Sequence, residues 1–360
     1  VPKSEFEGID PLQVQQAPFF QHPIGCGPFM VEEVNMKNYT ILAPFDKYYN
    51  GVADFKIQLL PSAGDSDPNV VTRAKSGNLD YGYTKMVADV QALEGTPGIT
   101  VTPIDVRYTR LFYLNKFDKK DGSPAPLADV RVRQALRYAI DMETICETLF
   151  QGSAVPANAL APDANLKGGD LNDYNYNPEK AKELLAEANW DPNTVIKAVY
   201  YYTDQATVDL MTAVQAYLAD VGIKMEFELV EGDLATILWT APADQTNGPR
   251  AVDWDICYAA NAALSLHEYY DRYRTGSPTN SHTPEDAELN RLIDATNASA
   301  DVNAQNEAFK ELIKYENENL FTMALYYQPI FLITSDKIGD IQKGTPQFCI
   351  NWDIQNWNVQ

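Results

Sequence analysis

Val195-Ile196-Lys197-Ala198-Val199-Tyr200-Tyr201-Tyr202 is a compact run of β-prone residues, bounded upstream by Trp190-Asp191-Pro192. After it, Leu210, Val214, Tyr217, Leu218 and Val221 share one face of a helix that Gly222 stops. Then Ile223, Met225, Phe227 and Leu229 alternate with Lys224, Glu226 and Glu228, as in a strand with one covered face. A strand, a helix and a strand in that order favour two parallel strands with the helix packed over them. The fold class is therefore α/β.

The same reading extends outward. Leu111-Phe112-Tyr113-Leu114 is a short apolar strand, and Lys116 to Leu127 is a loop with Gly122, Pro124 and Pro126. Asp129 caps a helix whose apolar stripe is Val132, Ala135, Leu136, Ala139 and Ile140, and Gly152 stops the element. Asn177-Pro178 starts another helix, with Ala181, Leu184, Leu185 and Ala188 on one face. Downstream, the pattern predicts a short helix at 234–239, a strand at 254–259 and helices at about 265–274, 284–298 and 302–318. Strands at 322–327 and 330–334 follow. The first hundred residues are different. Runs at 29–34, 39–42, 55–60 and 79–83 read as strands, with one helix opening at Asp67-Pro68 and ending near Gly77.

Composition narrows the function. The chain has 360 residues, 45% hydrophobic and 22% charged, which suits a globular protein of two domains or one large one. Its formal net charge is −22, with only 28 Lys and Arg and no basic run, which argues against nucleic acid. The 21 Tyr supply flat apolar faces with polar tips, suited first to core packing and then to a ligand pocket. No apolar run reaches the roughly 18 residues that a membrane span needs. The opening Val1–Phe6 lacks a charged start followed by an apolar stretch, which at face value reads as cytoplasmic. A first residue other than Met points instead to processing or truncation.

Catalytic signatures are missing from the sequence. The three histidines, His22, His267 and His282, form no HExxH and read as surface or capping residues. There is no G-x-S-x-G elbow and no phosphate loop ending in Gly-Lys-Ser/Thr. Gly25-Cys26-Gly27 begins like a dinucleotide fingerprint, but Pro28 removes an N–H that a phosphate would need. Asp170-Leu171-Asn172-Asp173-Tyr174-Asn175 is faintly like a calcium loop, yet lacks its Gly and closing Glu, so a polar loop is expected. Cys26, Cys146, Cys257 and Cys349 form no CxxC pair. Free buried thiols are the expectation, with one disulfide of open pairing if the protein is exported.

Four segments, in order, carry a resemblance. They are Gly25-Cys26-Gly27-Pro28-Phe29, Ser76-Gly77-Asn78-Leu79-Asp80, Asp129-Val130-Arg131-Val132-Arg133-Gln134-Ala135-Leu136-Arg137-Tyr138-Ala139-Ile140-Asp141, and Tyr176-Asn177-Pro178-Glu179-Lys180-Ala181-Lys182-Glu183-Leu184-Leu185-Ala186-Glu187-Ala188-Asn189-Trp190. Together they resemble the family 5 extracellular solute-binding proteins, the oligopeptide, dipeptide and nickel receptors of ABC importers; the third segment is the most specific. The resemblance implies a periplasmic-binding-protein-like fold (type II, cluster C). Residues 1–103 would belong to domain I, 104–333 to domain III, and 334–360 would return to domain I. Family members are longer and carry a signal and a domain II before the Gly-x-Gly-Pro-Phe segment. The chain is accordingly expected to be the C-terminal part of a longer protein, with a truncated domain I and a complete domain III.

The resemblance also implies a function. The protein would be extracytoplasmic, in the periplasm or as a cell-surface lipoprotein, and would deliver a peptide or similar small solute to ABC permease subunits. It would be a monomer, with no catalytic residue, metal or cofactor, touching the membrane only through a lipid anchor on a preceding segment. The family holds solute in a cleft between two lobes, with crossings here near Asp105–Leu111 and Phe331–Asp336. Its peptide-binding members use an Asp after a Trp-containing strand. The corresponding stretch is Trp254-Asp255-Ile256-Cys257-Tyr258-Ala259-Ala260-Asn261-Ala262-Ala263, which places the anchor at Asn261, with Ala260 the alternative. Neither is acidic, so a free peptide ammonium would lack its charge partner. Asn261 also suits a turn or helix cap. The remaining ligand candidates are Tyr258, Tyr83, Thr84, Tyr108, Arg110, His267 and Tyr269; Arg110 suits a carboxylate or phosphate, or else a salt bridge at the crossing. Two other readings compete. One is a receptor for an oligosaccharide or a metal chelate; the other is a secreted hydrolase that uses carboxylates.

Overall fold

The computed structural model describes the chain except residues 1, 10–13, 15–16, 21, 36, 62–66, 105–107, 163–165, 263–269 and 340–352, with the backbone alone at Tyr108 and Ala262. The chain divides into two compact units, Val1–Ile104 with Ile330–Gln360, and Asp105–Pro329.

The first unit opens with an antiparallel meander of β1 (Phe29–Asn35), β2 (Tyr39–Pro44) and β3 (Ile57–Leu59), with a bulge in β1 between Val31 and Glu33. Next come α1 (Val70–Lys75), β4 (Tyr81–Thr84), α2 (Val87–Leu93) and β5 (Ile99–Ile104). Gly77, at φ +70°, turns the chain out of α1 in a conformation that L side chains resist. Val70 and Ala74 of α1 and Leu93 of α2 form a small core with Ile333, a residue that arrives from the far end of the sequence.

The second unit is larger and three-layered. Its strands and helices run β6 (Tyr108–Leu114), α3 (Val130–Ala139), α4 (Met142–Thr148), β7 (Val155–Pro156), α5 (Pro178–Glu187), β8 (Val195–Tyr200), α6 (Gln205–Asp220), β9 (Lys224–Leu229), α7 (Leu234–Trp239), β10 (Ile256–Ala262), α8 (Ala287–Thr296), α9 (Val302–Asn319) and β11 (Thr322–Tyr327). The sheet order is β7-β11-β6-β10-β8-β9. The β8–β9 and β8–β10 pairs are parallel and the others antiparallel. Phe112, Leu114, Tyr258, Ile196 and Ala198 face α3, α4, α5 and α6. Leu111, Tyr113, Cys257, Ala259 and Val199 face the opposite way, toward Leu238 of α7 and the apolar sides of α8 and α9. The period of two along each strand supplies both layers.

Each helix from α3 to α9 begins at an Asp or Asn whose side chain accepts a backbone N–H of the first turn: Asp129, Asp141, Asn177, Asp204, Asp233, Asp286 and Asp301. Such a cap contributes about 1 kcal/mol, and it gives part of the acidic composition a structural task.

The chain returns to the first unit as β12 (Ile330–Ser335), which lies between β4 and β5 with antiparallel pairing on both sides. A two-residue pair, β13 (Ile338–Gly339) with β14 (Asn358–Val359), brings Trp357 to within 5.2 Å of the Tyr81 ring. The crossing expected near Phe331–Asp336 lies a little upstream: the chain changes unit at Pro329–Ile330, and β12 holds Ile330–Ser335.

Several expectations fare differently. The helix capped by Asp129 does not run unbroken to Gly152. It ends at Ala139, Ile140 is extended, and Asp141 caps a second helix by accepting from Thr144 N. Helix α2 and strand β5 have no counterpart in the sequence reading. Of the helix expected at 265–274, residues 265–269 lie outside the described residues and 270–273 form turns. His282, expected as a surface or capping residue, is fully buried and stacks on Tyr113 with ring centroids 5.0 Å apart. Cys146 and Cys257 are free and buried, Cys26 is free but exposed, and Cys349 lies outside the described residues.

Candidate functional site

The residues singled out for a ligand are divided between the two units. His267 and Tyr269 lie outside the described residues, and of Tyr108 only the backbone is described, paired with Ala262. Tyr83 and Thr84 belong to the first unit. Tyr83 is exposed. Thr84 is buried, and its hydroxyl donates to Asp89 Oδ2 (2.6 Å) and accepts from Met86 N (3.0 Å), closing the turn into α2.

The second unit gathers the others at the end of its sheet where β6 begins and β10 and β11 finish. Register fixes two cross-strand rows there. Tyr326, Arg110 and Ala260 are neighbours across β11, β6 and β10, and Tyr327, Thr109 and Asn261 form the next row. Successive residues of a strand point to opposite faces, so Arg110 and Asn261 lie on opposite sides of the sheet. Tyr258, two residues before Ala260, shares the Arg110 face.

Tyrosines surround Arg110. Its Cζ sits 4.2 Å from the Tyr202 ring centroid and 5.8 Å from that of Tyr258, and the residue is only 7% exposed. The Tyr258 and Tyr326 hydroxyls are 2.8 Å apart, and those of Tyr201 and Tyr202 are 3.0 Å apart. Burial drives the phenol pKa values of Tyr202, Tyr258 and Tyr326 upward, with the Arg110 charge opposing it. These hydroxyls therefore stay protonated, able both to donate and to accept. A guanidinium over aromatic faces is held in place by cation–π attraction of about 1–2 kcal/mol. The arrangement can hold a planar oxyanion or a polar solute with an apolar body. Among the described residues it contains neither a nucleophile beside a base nor a carboxylate pair.

The Asn261 face differs. Thr109 donates its hydroxyl to Leu160 O. The Tyr327 hydroxyl donates to Ala159 O (2.6 Å) and accepts from Lys167 Nζ (2.9 Å), and that ammonium lies 4.4 Å from the Tyr327 ring centroid. Lys167 and Tyr327, like Tyr201, Tyr202 and Tyr326, were missed by sequence reasoning. The signal available was the tyrosine pairs closing two strands, Tyr201-Tyr202 and Tyr326-Tyr327.

The other buried charges serve the scaffold. Arg133 donates to Leu127 O (2.8 Å), Ala128 O (2.7 Å) and Asn319 O (2.7 and 3.0 Å). Lys116 Nζ donates to Leu114 O (2.6 Å) and Phe321 O (2.8 Å), and burial holds its pKa well below the usual lysine range. Arg250 pairs with Asp255 at 2.7 Å, both almost fully buried. Asp170 of the calcium-like loop is tied to Lys314, and Asp173 accepts from Asn158. Among the described residues no cluster of His, Cys, Asp and Glu could hold a metal ion.

The chain as a whole has relatives. The profile described as bacterial extracellular solute-binding proteins, family 5 Middle, matches residues 6–283. The chain belongs to that family. The oligopeptide-binding protein AppA of Bacillus subtilis is 26% identical over 272 residues, covering 70% of this chain and 46% of AppA. The chain thus spans less than half the length of the curated relatives it matches. Lactococcal OppA, complexed with an endogenous peptide in its closed conformation, superposes with a TM-score of 0.81 at 17% identity, covering 100% of this chain and 70% of OppA. NikZ of Campylobacter jejuni, in complex with Ni(L-His), gives 0.77 at 17% identity over 99% of this chain and 72% of NikZ. At such identities the structures establish the periplasmic-binding-protein-like fold. The family's members are binding proteins rather than enzymes.

Proposed function

We propose that this protein is the extracytoplasmic solute-binding component of an ABC importer. It captures a peptide or similar small solute and passes it to the permease subunits, acting as a monomer that meets the membrane through a lipid anchor. Arg110, Tyr258 and Asn261 take part in binding, with Tyr202 and Tyr326 completing the surroundings of Arg110. Tyr83, Tyr108, His267 and Tyr269 remain ligand candidates of the same reading. Thr84 is the weakest of the set, since its hydroxyl is engaged with Asp89 and Met86.

The observation that carries this reading is the Arg110 surroundings themselves. A guanidinium held over tyrosine rings at the end of the sheet has chemistry for recognition and none for bond cleavage. A metal chelate is the second reading. It is favoured by the same guanidinium, whose fork pairs with the carboxylates that a chelating ligand carries.

A thermal-shift screen with a peptide mixture, oligosaccharides and nickel–histidine tests both. One class should raise Tm in a concentration-dependent way, because a ligand that binds only the folded state stabilises it. Turnover of a peptide or a glycoside by the purified protein would overturn the assignment.

A further inference from the structure

The sequence contains two Asn-Gly pairs, Asn50-Gly51 and Asn247-Gly248. Asparagine is a thermolabile residue, and a following glycine exposes it to one intrinsic reaction. The glycine nitrogen, unshielded by any side chain, gives its proton to hydroxide or another base and attacks the asparagine Cγ. The bond from Cγ to the carboxamide nitrogen breaks, that nitrogen takes a proton from solvent and leaves as ammonia, and a five-membered succinimide closes. Water then opens one of the two imide C–N bonds. One opening gives aspartate, and the other gives isoaspartate, whose main chain is one methylene longer. Ammonia leaves and water enters, with nothing oxidised or reduced.

The two pairs share this chemistry and differ in structure. At Asn247 the turn is latched. The Gly248 N–H donates to Asp244 O at 3.1 Å, and the N–H groups of Thr246 and Asn247 donate to Asp244 Oδ1 at 2.8 and 3.2 Å. A Cβ on Gly248 would stand 2.4 Å from Asp244 O, so the backbone is folded closely on itself. Two more bonds pin the turn to the residue before the cap of α8: Glu285 N donates to Gln245 O at 2.8 Å, and the Thr246 hydroxyl donates to Glu285 Oε2 at 2.8 Å. Swinging the Gly248 nitrogen onto the Asn247 Cγ takes this turn apart.

Asn50-Gly51 lies in the connection from β2 to β3. Both residues are exposed, and Tyr49 beside them is 86% exposed. Among the described residues neither the Asn50 carboxamide nor the Gly51 N–H has a hydrogen-bond partner. Gly51 has φ +97°, a conformation that glycine adopts without strain, and a Cβ there would meet nothing nearer than Asn356 Oδ1 at 3.4 Å. Exposed loop tips with so few restraints are where covalent change concentrates.

We propose that Asn50 is a site of spontaneous deamidation and isomerisation, and that the Asp244 turn protects Asn247 from the same reaction. The product adds one negative charge to a chain of formal net charge −22. In its isoaspartyl form it also lengthens the β2–β3 connection beside Asn356. The assignment holds whatever solute the protein binds.

The experiment keeps the full chain at mildly alkaline pH, once folded and once in denaturing urea, with samples taken over days. Peptide mapping by mass spectrometry follows the conversion of amide to acid at each pair, and an isoaspartyl methylation assay reports the isomerised product. In the folded protein Asn50 should convert at least about tenfold faster than Asn247, whose backbone must first give up two hydrogen bonds. In urea those bonds are gone and the two rates should converge. Asn50→Gln, whose longer side chain has to close a six-membered ring, should lose the folded-state product. Equal rates in the folded chain, faster conversion at Asn247, or no conversion at Asn50 overturns the assignment. So does product that persists in Asn50→Gln. A gap of the same size in urea would trace the difference to the flanking residues and overturn the protective role of the Asp244 turn.

Discussion

Replacing Glu316 by Gln should change how stability depends on pH. Glu316 lies near the C-terminus of α9, 2% exposed, and accepts a hydrogen bond from the Thr322 backbone; its Oε1 has no partner among the described residues. Burial pushes its pKa from 4.5 up to about 8, against the smaller opposing pulls of that hydrogen bond and of Lys116. The sign follows from proton counting. Between these two values the native state holds a proton that the unfolded state has lost, so unfolding free energy falls as pH rises. The favourable contribution is full below pH 4.5 and is gone once pH passes about 8. Integrated from pH 4.5 to 7 at about 1.4 kcal/mol per pH unit, less the rounding at each end, the loss is about 3 kcal/mol. Gln keeps the shape and an acceptor for the Thr322 N–H, and cannot ionise. The difference in unfolding free energy, Glu316→Gln minus wild type, should therefore climb by about 3 kcal/mol from pH 4.5 to 7. Taking the difference at each pH cancels the titration of groups that do not interact with Glu316. The neighbouring charges stay in place: Lys116 and Arg133 act on each other, and Lys116 and Arg272 both act on His282. Urea unfolding followed by tryptophan fluorescence at half-unit pH steps measures it, with Trp190, Trp239 and Trp254 reporting on the second unit. A difference that is flat or falls over this range would refute the reasoning.

Arg250→Met should cost about 3–5 kcal/mol in the same urea assay, because it strands the Asp255 carboxylate in the interior. Tyr258→Phe and Tyr326→Phe should each cost about 1 kcal/mol, and the double mutant should show about 1 kcal/mol of coupling, since either change breaks the same 2.8 Å hydroxyl pair. In a Cys349→Ser background, a colorimetric thiol reagent should titrate Cys26 fast and leave Cys146 and Cys257 unreacted until urea is added. Burial raises both of the slow thiols, Cys146 to about 12.

Much of the second unit was legible because its signals are local. The run from Val195 to Leu229 needs only two periodicities and one glycine to give β8, α6 and β9, and the parallel pairing of β8 with β9 follows. The segment Asp129 to Asp141 was legible as a family mark but not as physics. Its spacing reveals an apolar stripe, yet the reason for Arg133 is its bonds to Leu127, Ala128 and Asn319, the last of these 186 residues away. Nothing in the local pattern distinguishes a buried, carbonyl-capping arginine from a solvated one. The same limit hid the break at Ile140, where the stripe continues by eye across two helices. It also hid His282, whose stacking on Tyr113 joins strands and loops far apart in sequence.

The candidate residues could be read at the level of single strands, and their arrangement only at the level of the sheet. Arg110 and Asn261 each stand near the end of a run that the sequence announces as a strand, but Arg110 was a candidate for its place at the expected crossing and Asn261 for its place in the resemblance. Whether they can serve one ligand group depends on the pleat. Asn261 pairs with Thr109, and Arg110 with Ala260, so an odd step separates them and they face apart. In β11 the register slips between Ala324 and Tyr326, where Leu325 is the extra residue, and Ala157 N donates to the Leu325 carbonyl at 2.9 Å. Without that bulge Tyr326 and Tyr327 would exchange faces. Tyr326 would leave Arg110, and Tyr327 would carry Lys167 away from Asn261. One inserted residue therefore sorts the charged groups of this sheet end, a guanidinium with three tyrosines on one side and an ammonium in line with an amide on the other. Periodicity within a strand cannot reveal that sorting, because it belongs to the pairing between strands.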